Sequence, residues 1–295
     1  MRVALLLICS MLPGFYLKAA AQWDLIACGD DKVMLINTRK SVEGQAAIIW
    51  TWIAMEATDL PLPYRQLMVP LDECKPIDNG KKLLLTSSGG GAVLLDIKTK
   101  KVLFYAKVPM AHSAEILPHG RIVVALSTHK AGNSIELYDI TKPDRLLFKD
   151  SLYSGHGVVW DKASNRLFAL GFDELRAYEL KDWATETPGL LLVQSWKLPD
   201  EGGHDLSAID NDELLVSTHH NVFIFNTRRG EFRVFDMLAG KEDIKSVNYN
   251  RKTRRLVYTQ AEESWWTHHI YQKNPDKTIE IPGVKLYKVR VRNKN

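Results

Sequence analysis

Three histidines are spaced along the sequence at similar intervals, each at the head of a short apolar stretch. His112, His156 and His204 follow one another after 44 and 48 residues. Neutral imidazole can act as a general base or acid near neutral pH, and it is also a common ligand of divalent transition metals. If a repeating structure brings the three rings to one place, they are the candidate catalytic residues of this chain and its candidate metal ligands.

Such a cluster has two possible uses, and the sequence leaves both open. In the first, His112, His156 and His204 hold a single divalent metal such as Mn²⁺, Zn²⁺ or Ca²⁺, with positions free for substrate oxygens. In the second there is no cofactor, and one histidine acts as base or acid. Lys75 and Lys245, which head neighbouring repeats, then hold an anionic substrate. The two lysines would place like charge beside a metal cation. They therefore favour the second use, or else a metal site in which the lysines are displaced toward a substrate carboxylate.

Further polar and aromatic residues fall in connections that should reach the same end of the repeats. Trp265 and Trp266 form a pair in a long connection, and exposed indole rings can pack against the apolar face of a sugar ring. Eight of the nine histidines fall at this end, and only His119 falls at the other. We expect the substrate to be held by Lys75, Asp173, Asp205, His219, His220, Lys245, Trp265, Trp266 and His268.

The elements that must position these residues are β-strands. No window of a dozen residues carries a 3.6-residue apolar period, whereas short apolar runs bounded by turns recur along the whole chain. Aligned by their turns, these runs form units of four strands that begin 37, 44, 48 and 41 residues apart. This period is typical of an all-β fold, the β-propeller, in which each unit is a blade and its first strand lines a central channel.

The chain supplies five such units and one incomplete unit at its beginning, which lacks a first strand. We therefore predict six four-stranded antiparallel blades, with seven blades as the alternative. The residues from Lys285 to Arg292 alternate between apolar and mostly cationic side chains, as a half-exposed strand does. This C-terminal strand should join the incomplete blade and close the ring, either as its innermost or as its outermost strand.

The first residues have the pattern of a secretory signal peptide, with Arg2, an apolar run and three alanines that end at Ala21. We expect residues 1–21 to be removed, which leaves a single propeller domain over residues 22–295 in the periplasm or outside the cell. Cys9 offers a lipoprotein signal as the less favoured alternative. The later apolar stretches are too short to span a bilayer.

The composition limits the partners and the covalent chemistry. The net charge of the 295-residue chain is +4 and is spread evenly, which argues against a nucleic-acid partner. Cys28 and Cys74 are the two cysteines of the mature chain, and they can form at most one disulfide. We expect both to be free, buried thiols. We expect a monomer whose partner is an anionic carbohydrate.

Three stretches carry a resemblance to known proteins. They run from Ala111 to Gly120, from Gly155 to Asp161 together with Leu170 to Leu175, and from Gly203 to Leu206. They resemble a family of secreted, WD40-like bacterial propellers without an established function. The resemblance spans nearly the whole mature chain. More remotely, the chain is similar to propeller lyases and glycosidases that act on uronate-containing polysaccharides. In those enzymes, histidines at the channel mouth serve as base or as manganese ligands.

The resemblance and the histidine cluster together imply an exported propeller that acts on an acidic polysaccharide or oligosaccharide. As a lyase it would use His156 or His204 to remove the proton α to a uronate carboxylate, while Lys245, Lys75 or a metal neutralises that carboxylate. The alternative is a propeller without catalytic activity that binds a glycan or a partner protein through the same face.

A glycosidase is the other enzyme that the resemblance implies. It would need two opposed carboxylates on either side of the scissile bond. The candidate carboxylates are Glu115, Asp173 and Asp205.

Overall fold

Short β-strands joined by tight turns make up most of the structure, a computed structural model that describes residues 23–293. The strands form six sheets, each of four antiparallel strands. The predicted six-bladed propeller is therefore confirmed, and the seven-bladed alternative is wrong. The predicted signal peptide, residues 1–21, lies outside the described residues.

Each blade from the second to the sixth consists of four strands that are consecutive in the chain. The first blade contains β1 (Trp23–Gly29), β2 (Lys32–Asn37) and β3 (Ile48–Ile53), and the second contains β4 (Leu71–Ile77), β5 (Lys82–Ser87), β6 (Gly91–Asp96) and β7 (Val102–Lys107). The third contains β8 (Ala111–Leu117), β9 (Arg121–Leu126), β10 (Ser134–Asp139) and β11 (Leu146–Ser151), and the fourth contains β12 (Gly157–Asp161), β13 (Arg166–Leu170), β14 (Glu174–Lys181) and β15 (Gly189–Lys197). The fifth contains β16 (Asp205–Asp210), β17 (Glu213–Ser217), β18 (Val222–Asn226) and β19 (Glu231–Val234), and the sixth contains β20 (Ile244–Asn250), β21 (Arg255–Gln260), β22 (His269–Lys273) and β23 (Lys277–Glu280).

Helical structure is confined to the connections between blades. A 3₁₀ turn (Ala54–Glu56) and the short helix α1 (Leu62–Leu67) lie between the first and second blades, and a second 3₁₀ turn (Asp236–Leu238) follows β19. Within residues 23–293, no helix has the length and apolar character that crossing a bilayer requires.

The ring is closed by the last strand of the chain, β24 (Leu286–Asn293). It pairs antiparallel with β1, so that Trp23 lies opposite Asn293, and it is the innermost strand of the first blade. Its alternating pattern has a different cause from the predicted half-exposure: Val289 packs into the core beside β1, whereas Lys288 and Arg290 point into the channel and are buried there. The strand therefore fills the inner position that the incomplete first unit left empty.

The core of the molecule lies between the blades. Six clusters of buried apolar side chains each join one blade to the next, including the contact between the sixth blade and the first. Between the fourth and fifth blades, for example, Phe168 packs against Phe225 and Trp196. Because each blade buries its faces only against its neighbours, we expect the stability of the ring to depend on its closure.

The two cysteines of the propeller are free and fully buried. Cys28 lies on β1 and Cys74 on β4, and the Sγ atoms lie 3.7 and 3.8 Å from the same carbonyl oxygen, that of Lys288 on β24. The thiols thus belong to the packing of the closing strand between the first two blades.

Candidate functional site

One position recurs at the start of the innermost strand of every blade, at the same end of the channel; it lies directly before the strand in the fourth and fifth blades and within the strand in the other four. In four of these strands the pairing register shifts at this position, and a bulge of this kind re-aims the side chain of the extra residue. We call this end the histidine mouth. The six residues at its recurring position are Asp72, His112, His156, His204, Lys245 and Tyr287.

The three imidazole rings pack against one another in a row around the mouth. The ring centroids of His112 and His156 are 4.5 Å apart and those of His156 and His204 are 5.4 Å apart, both in edge-to-face contact. His219, from the connection between β17 and β18, extends the row with its centroid 5.0 Å from that of His204. The structure thus brings together the three histidines that the spacing of the repeats predicted to meet.

Burial keeps these rings neutral at physiological pH. It lowers the pKa of His112. The pKa of His156 lies well below its usual value because of burial and of repulsion from the neighbouring rings. The pKa of His204 also lies well below its usual value, because of burial and of repulsion from Lys245.

Two of the rings have their tautomer set by the backbone. Nδ1 of His112 lies 3.0 Å from the carbonyl oxygen of Met110, and Nδ1 of His156 lies 2.9 Å from that of Ser154. A carbonyl oxygen can only accept a hydrogen bond, so Nδ1 carries the proton and Nε2 keeps its lone pair. No residue between 23 and 293 occupies these two Nε2 atoms, which are left as acceptors.

A cavity of about 390 Å³ opens at the histidine mouth. Aromatic side chains form part of its wall, and Trp265 among them is 54% exposed. A pocket of this size with convergent polar groups is typical of a small-molecule site. Besides the three histidines of the row, its lining includes Asp72, Ser88, Ser127, Thr128, Ser154, Phe172, His219, Trp265, Trp266 and Tyr287.

Lys245 lies behind the wall of this cavity and does not line it. Its side chain is fully buried, and its Nζ lies 3.0 Å from Nε2 of His204 and 3.2 Å from the carboxylate of Asp243. The ammonium also faces the ring of Trp265, with Nζ 5.0 Å from the ring centroid. The predicted direct contact of Lys245 with a substrate is therefore wrong, because His204 and Trp265 stand between them.

Asp205 is also not available to a substrate. It lies one residue past the mouth position of β16, inside the channel, where Arg290 binds both of its carboxylate oxygens at 2.9 and 2.6 Å. The same guanidinium binds Glu73 at 2.7 and 2.6 Å, and Lys288 approaches both carboxylates. Burial alone would raise the pKa of Glu73, but attraction to Arg290 and Lys288 outweighs it and lowers this pKa to about 2. These four charges hold the inner strands together.

Lys75 lies at the opposite end of the channel. Its Nζ donates to the carbonyl oxygen of Val158 at 2.6 Å and pairs with Glu115 at 3.2 Å, beside a second cavity of about 350 Å³. The expectation that Lys75 stands with the histidines is wrong because the mouth position of β4 is held by Asp72, three residues earlier.

Three other predicted residues lie on the correct face but outside the cavity. Asp173 is exposed on a turn, His220 pairs with Asp200 at 3.1 Å, and His268 binds the carbonyl oxygen of Val284 through Nδ1 at 2.8 Å. His219, Trp265 and Trp266 do line the cavity.

The structure adds two residues that do not appear among the predicted ones. Asp72, with one carboxylate oxygen bound by the backbone N–H of Ser88, and Tyr287 occupy the mouth positions of β4 and β24. Burial raises the pKa of both groups, so each tends to keep its proton. An aspartate or a tyrosine does not by itself indicate a site. Alignment of the repeats could have identified both residues, because they occupy the position that the histidines occupy in other blades.

The fit of these residues to a metal ion can be tested from their arrangement. Among residues 23–293 there is no group of three or more His, Cys, Asp or Glu side chains placed to hold a metal. The imidazole rings of His112, His156 and His204 meet edge to face instead of converging on one point, and Nε2 of His204 is occupied by Lys245. As they stand, the three rings do not fit a three-histidine metal site, and we derive no step through a metal.

Comparison with known proteins gives a family and a fold. The model of a family of unknown function, DUF6528, matches residues 30–295. The structure is similar to the crystal structure of a protein of unknown function from Bacteroides caccae, with a TM-score of 0.61 and 14% sequence identity over 92% of this chain and 99% of that chain. At that identity the likeness concerns the fold alone. No curated protein matches the sequence, and neither of the two descriptions names an enzyme or a ligand.

Proposed function

For this chain, which belongs to the DUF6528 family of unknown function, we propose that the histidine mouth binds a sugar acid and cleaves its glycosidic bond by elimination. The substrate would be one that an exported protein meets, a uronate-containing polysaccharide or oligosaccharide. The observation that carries the proposal is the row of neutral imidazoles, two of them with free Nε2 lone pairs, in a cavity walled by indole and phenyl rings.

The cavity has the chemistry that sugar binding needs. A sugar ring offers an apolar C–H face and a rim of hydroxyl groups that both donate and accept hydrogen bonds. Trp265 and Phe172 supply aromatic surface, Nε2 of His112 and of His156 accept from hydroxyl groups, and Tyr287 can donate to one. The volume of about 390 Å³ lies at the lower end of the range for ligand pockets, which suits a terminal sugar better than a long segment of chain.

The elimination follows from the proton positions. Nε2 of His156 takes the proton from the carbon that bears the carboxylate, and the electron pair of that C–H bond forms a C=C bond as the bond to the glycosidic oxygen breaks. The leaving oxygen takes a proton from the hydroxyl of Tyr287, which burial keeps protonated. Solvent returns that proton and accepts the one held by His156, so the protein ends the cycle unchanged.

The glycosidase version has less support. It needs two carboxyl groups on opposite sides of the scissile bond, and in residues 23–293 the only carboxyl group in the lining of this cavity is that of Asp72. Of the predicted candidates, Asp205 is bound by Arg290, Glu115 lies at the far end of the channel with Lys75, and Asp173 lies outside the cavity. An elimination needs no such pair.

The second candidate function is binding of the same sugar without turnover. One observation favours it: the burial that keeps His156 neutral also lowers its pKa, and a base with a low pKa is a weak proton acceptor. In this version the imidazoles serve only as hydrogen-bond acceptors for sugar hydroxyls.

Turnover of uronate oligosaccharides separates the two. The wild type, His156→Ala and the control His119→Asn are incubated with galacturonate and glucuronate oligosaccharides, and the ultraviolet absorbance of the unsaturated product is followed. His119 suits the control because it lies at the other end of the blades with a φ of 62°, which asparagine tolerates. We expect turnover in the wild type and the control, with a loss of about 10²-fold or more in His156→Ala.

Calorimetry with the same oligosaccharides completes the test. Binding without turnover in all three proteins would leave the second candidate function standing. If the wild type neither binds nor cleaves any of these oligosaccharides, both functions are wrong.

A further inference from the structure

A second position recurs on the innermost strands, three residues after the position of the histidine mouth. It lies toward the far end of the channel, beside the second cavity of about 350 Å³. The residues at this position are Lys75, Glu115, Val159, Ser207, Asn248 and Arg290, and all of them line that cavity. The repeat that brings the histidines together at one end of the channel therefore brings a different group of side chains together at the other.

Lys75 and Glu115 place a hydrogen-bond donor beside an acceptor in this cavity. Their side chains are 13% and 14% exposed. Nζ of Lys75 donates to the carbonyl oxygen of Val158 at 2.6 Å and to the carboxylate of Glu115 at 3.2 Å. An ammonium group has three N–H donors, so one of them has no acceptor among residues 23–293. Glu115 also accepts from the backbone N–H of Ile116 at 3.0 Å and still has lone pairs left. A ligand hydroxyl can thus accept from Lys75 and donate to Glu115.

Ser207 and Asn248, in the fifth and sixth blades, contribute two more acceptors. Nδ2 of Asn248 donates to the carbonyl oxygen of Val289 at 2.9 Å, which leaves the amide oxygen Oδ1 as an acceptor. This oxygen has no partner in the described part of the chain and is not among the buried polar atoms without a partner, so it is accessible from the cavity. The hydroxyl of Ser207 donates to the carbonyl oxygen of Val247 at 2.6 Å, and its own lone pairs remain available.

The charged side chains that line the second cavity are already paired. Lys75 pairs with Glu115, and the guanidinium of Arg290 binds Glu73 and Asp205. An anionic or cationic ligand would have to displace a partner that is already in place, and breaking a buried ion pair is costly. A neutral ligand with several hydroxyl groups does not carry this cost.

The wall of the second cavity supplies apolar and aromatic surface. Trp160, Tyr249 and Val291 are among its lining residues. An adjoining cavity of about 370 Å³ shares Pro76, Glu115, Trp160 and Val291 with it. Trp160 therefore lies where the two cavities meet, and a ligand longer than one sugar ring has room on both sides of the indole.

We propose that the second cavity binds a neutral oligosaccharide, with one sugar ring against Lys75, Glu115 and Asn248 and the next unit beyond Trp160. Sugar hydroxyls donate to the three acceptors and accept from the ammonium, while the apolar C–H face of a ring packs on the indole. The site lies at the opposite end of the channel from the histidine mouth and does not depend on the proposed elimination. It holds a glycan without cleaving it.

The indole N–H of Trp160 reports on this site. In full-length protein labelled with ¹⁵N-tryptophan, its signal is the one that is lost in Trp160→Phe. We expect cellobiose and lactose to shift this signal, and methyl β-D-glucoside to shift it at higher concentration because it fills only one side of the indole. Methyl β-D-glucuronide should bind here about tenfold more weakly than the glucoside, because its carboxylate meets no unpaired cation. If none of the three neutral sugars shifts the signal of Trp160, the proposal is wrong.

Two alanine-to-tryptophan variants locate the bound sugar. Ala208→Trp fills the second cavity from an exposed position on β16, and Ala184→Trp is the matched control, exposed in the connection between β14 and β15 and outside both cavities. By calorimetry we expect Ala208→Trp to lose about tenfold or more in affinity for cellobiose and the control to lose none. Equal affinities in the two variants would overturn the proposal. The indole N–H of Trp265 reports on the histidine mouth, so a sugar that shifts Trp265 alone would overturn the second site and leave the proposed function standing.

Discussion

The chemistry of the histidine mouth depends on which nitrogen of each ring carries the proton. In His112 and His156 the backbone decides, and two acceptor atoms face the cavity. In His204 it is Nε2 that the protein occupies, because Nζ of Lys245 lies 3.0 Å from it. Three residues of one type, placed at one position of three successive blades, therefore differ in the ring nitrogen that the protein occupies.

The neutral rings also make the stability of the propeller depend on pH. The pKa values of His112, His156 and His204 are lowered in the folded state, so below about pH 6.5 the unfolded chain binds protons that the folded chain does not. We expect the free energy of unfolding, measured in urea, to fall as the pH decreases from 7 to 5. His156→Gln should reduce that loss by about 1.4 kcal/mol per pH unit below 6.5.

His220→Gln is the control with the opposite sign. A hydrogen bond and an ion pair with Asp200 raise the pKa of His220, so this residue contributes stability at low pH that is lost as the pH rises. Its replacement should weaken the protein at pH 5 more than at pH 7. A stability that does not change between pH 7 and pH 5 would mean that the three buried rings take up protons in the folded state.

At the scale of elements, the connection between β21 and β22 decides how the cavity is walled. One carboxylate oxygen of Glu262 accepts hydrogen bonds from the hydroxyl of Tyr271 and from Nδ1 of His269, the latter at 2.8 Å. Its other oxygen accepts from the backbone N–H of His268 at 3.2 Å. Glu262 thus ties both ends of the segment that carries Trp265 and Trp266.

Loosening this segment should weaken ligand binding. In Glu262→Ala we expect Trp265 to become more accessible to acrylamide quenching, and affinity for methyl β-D-glucuronide to fall by about tenfold, because the indole no longer stands over the rings. Glu263→Ala is the matched control in the same segment, since the hydrogen bonds of Glu263 to Trp266 run through backbone atoms. Equal quenching and equal affinity in the two variants would show that Glu262 does not hold the wall.

Elements are also the scale at which prediction from the sequence succeeds and then fails. The period of the apolar runs predicts the blades and the meeting of the histidines, because repeated strands around an axis must align. It does not reveal the bulge at Asp72, and so Lys75 is predicted three residues out of place. Asp205 is predicted to hold the substrate but lies inside the channel, because a shift of one residue along an inner strand separates the cavity from the channel interior. Tyr287 is missed because the position of β24 within its blade is not readable from its alternation.

At the scale of the whole molecule, closure by β24 makes residues 23 and 293, the two ends of the described segment, neighbours. Trp23 and Asn293 lie opposite each other in the first blade, and the connection between Glu186 and Thr187 is exposed. We expect a circular permutant, with residue 293 joined to residue 23 by a short linker and new ends between Glu186 and Thr187, to fold with a melting temperature within a few degrees of the parent.

Removal of residues 286–295 is the contrasting variant. It deletes Lys288 and Arg290 and leaves the buried carboxylates of Glu73 and Asp205 without their cations, which is strongly destabilising. We expect no cooperative thermal unfolding of this truncated chain by circular dichroism. Cooperative unfolding of the truncated chain would show that five complete blades and a partial first blade are stable without closure.

The four charges between the inner strands have a consequence for what can enter the propeller. Glu73, Asp205 and Lys288 are inaccessible to solvent, and Arg290 nearly so, and they lie between the two cavities. The channel is therefore closed between the two cavities, so a polymer cannot pass through it. For the proposed elimination, this means that a glycan would reach the imidazoles by its terminus, and that the released piece would leave through the same opening.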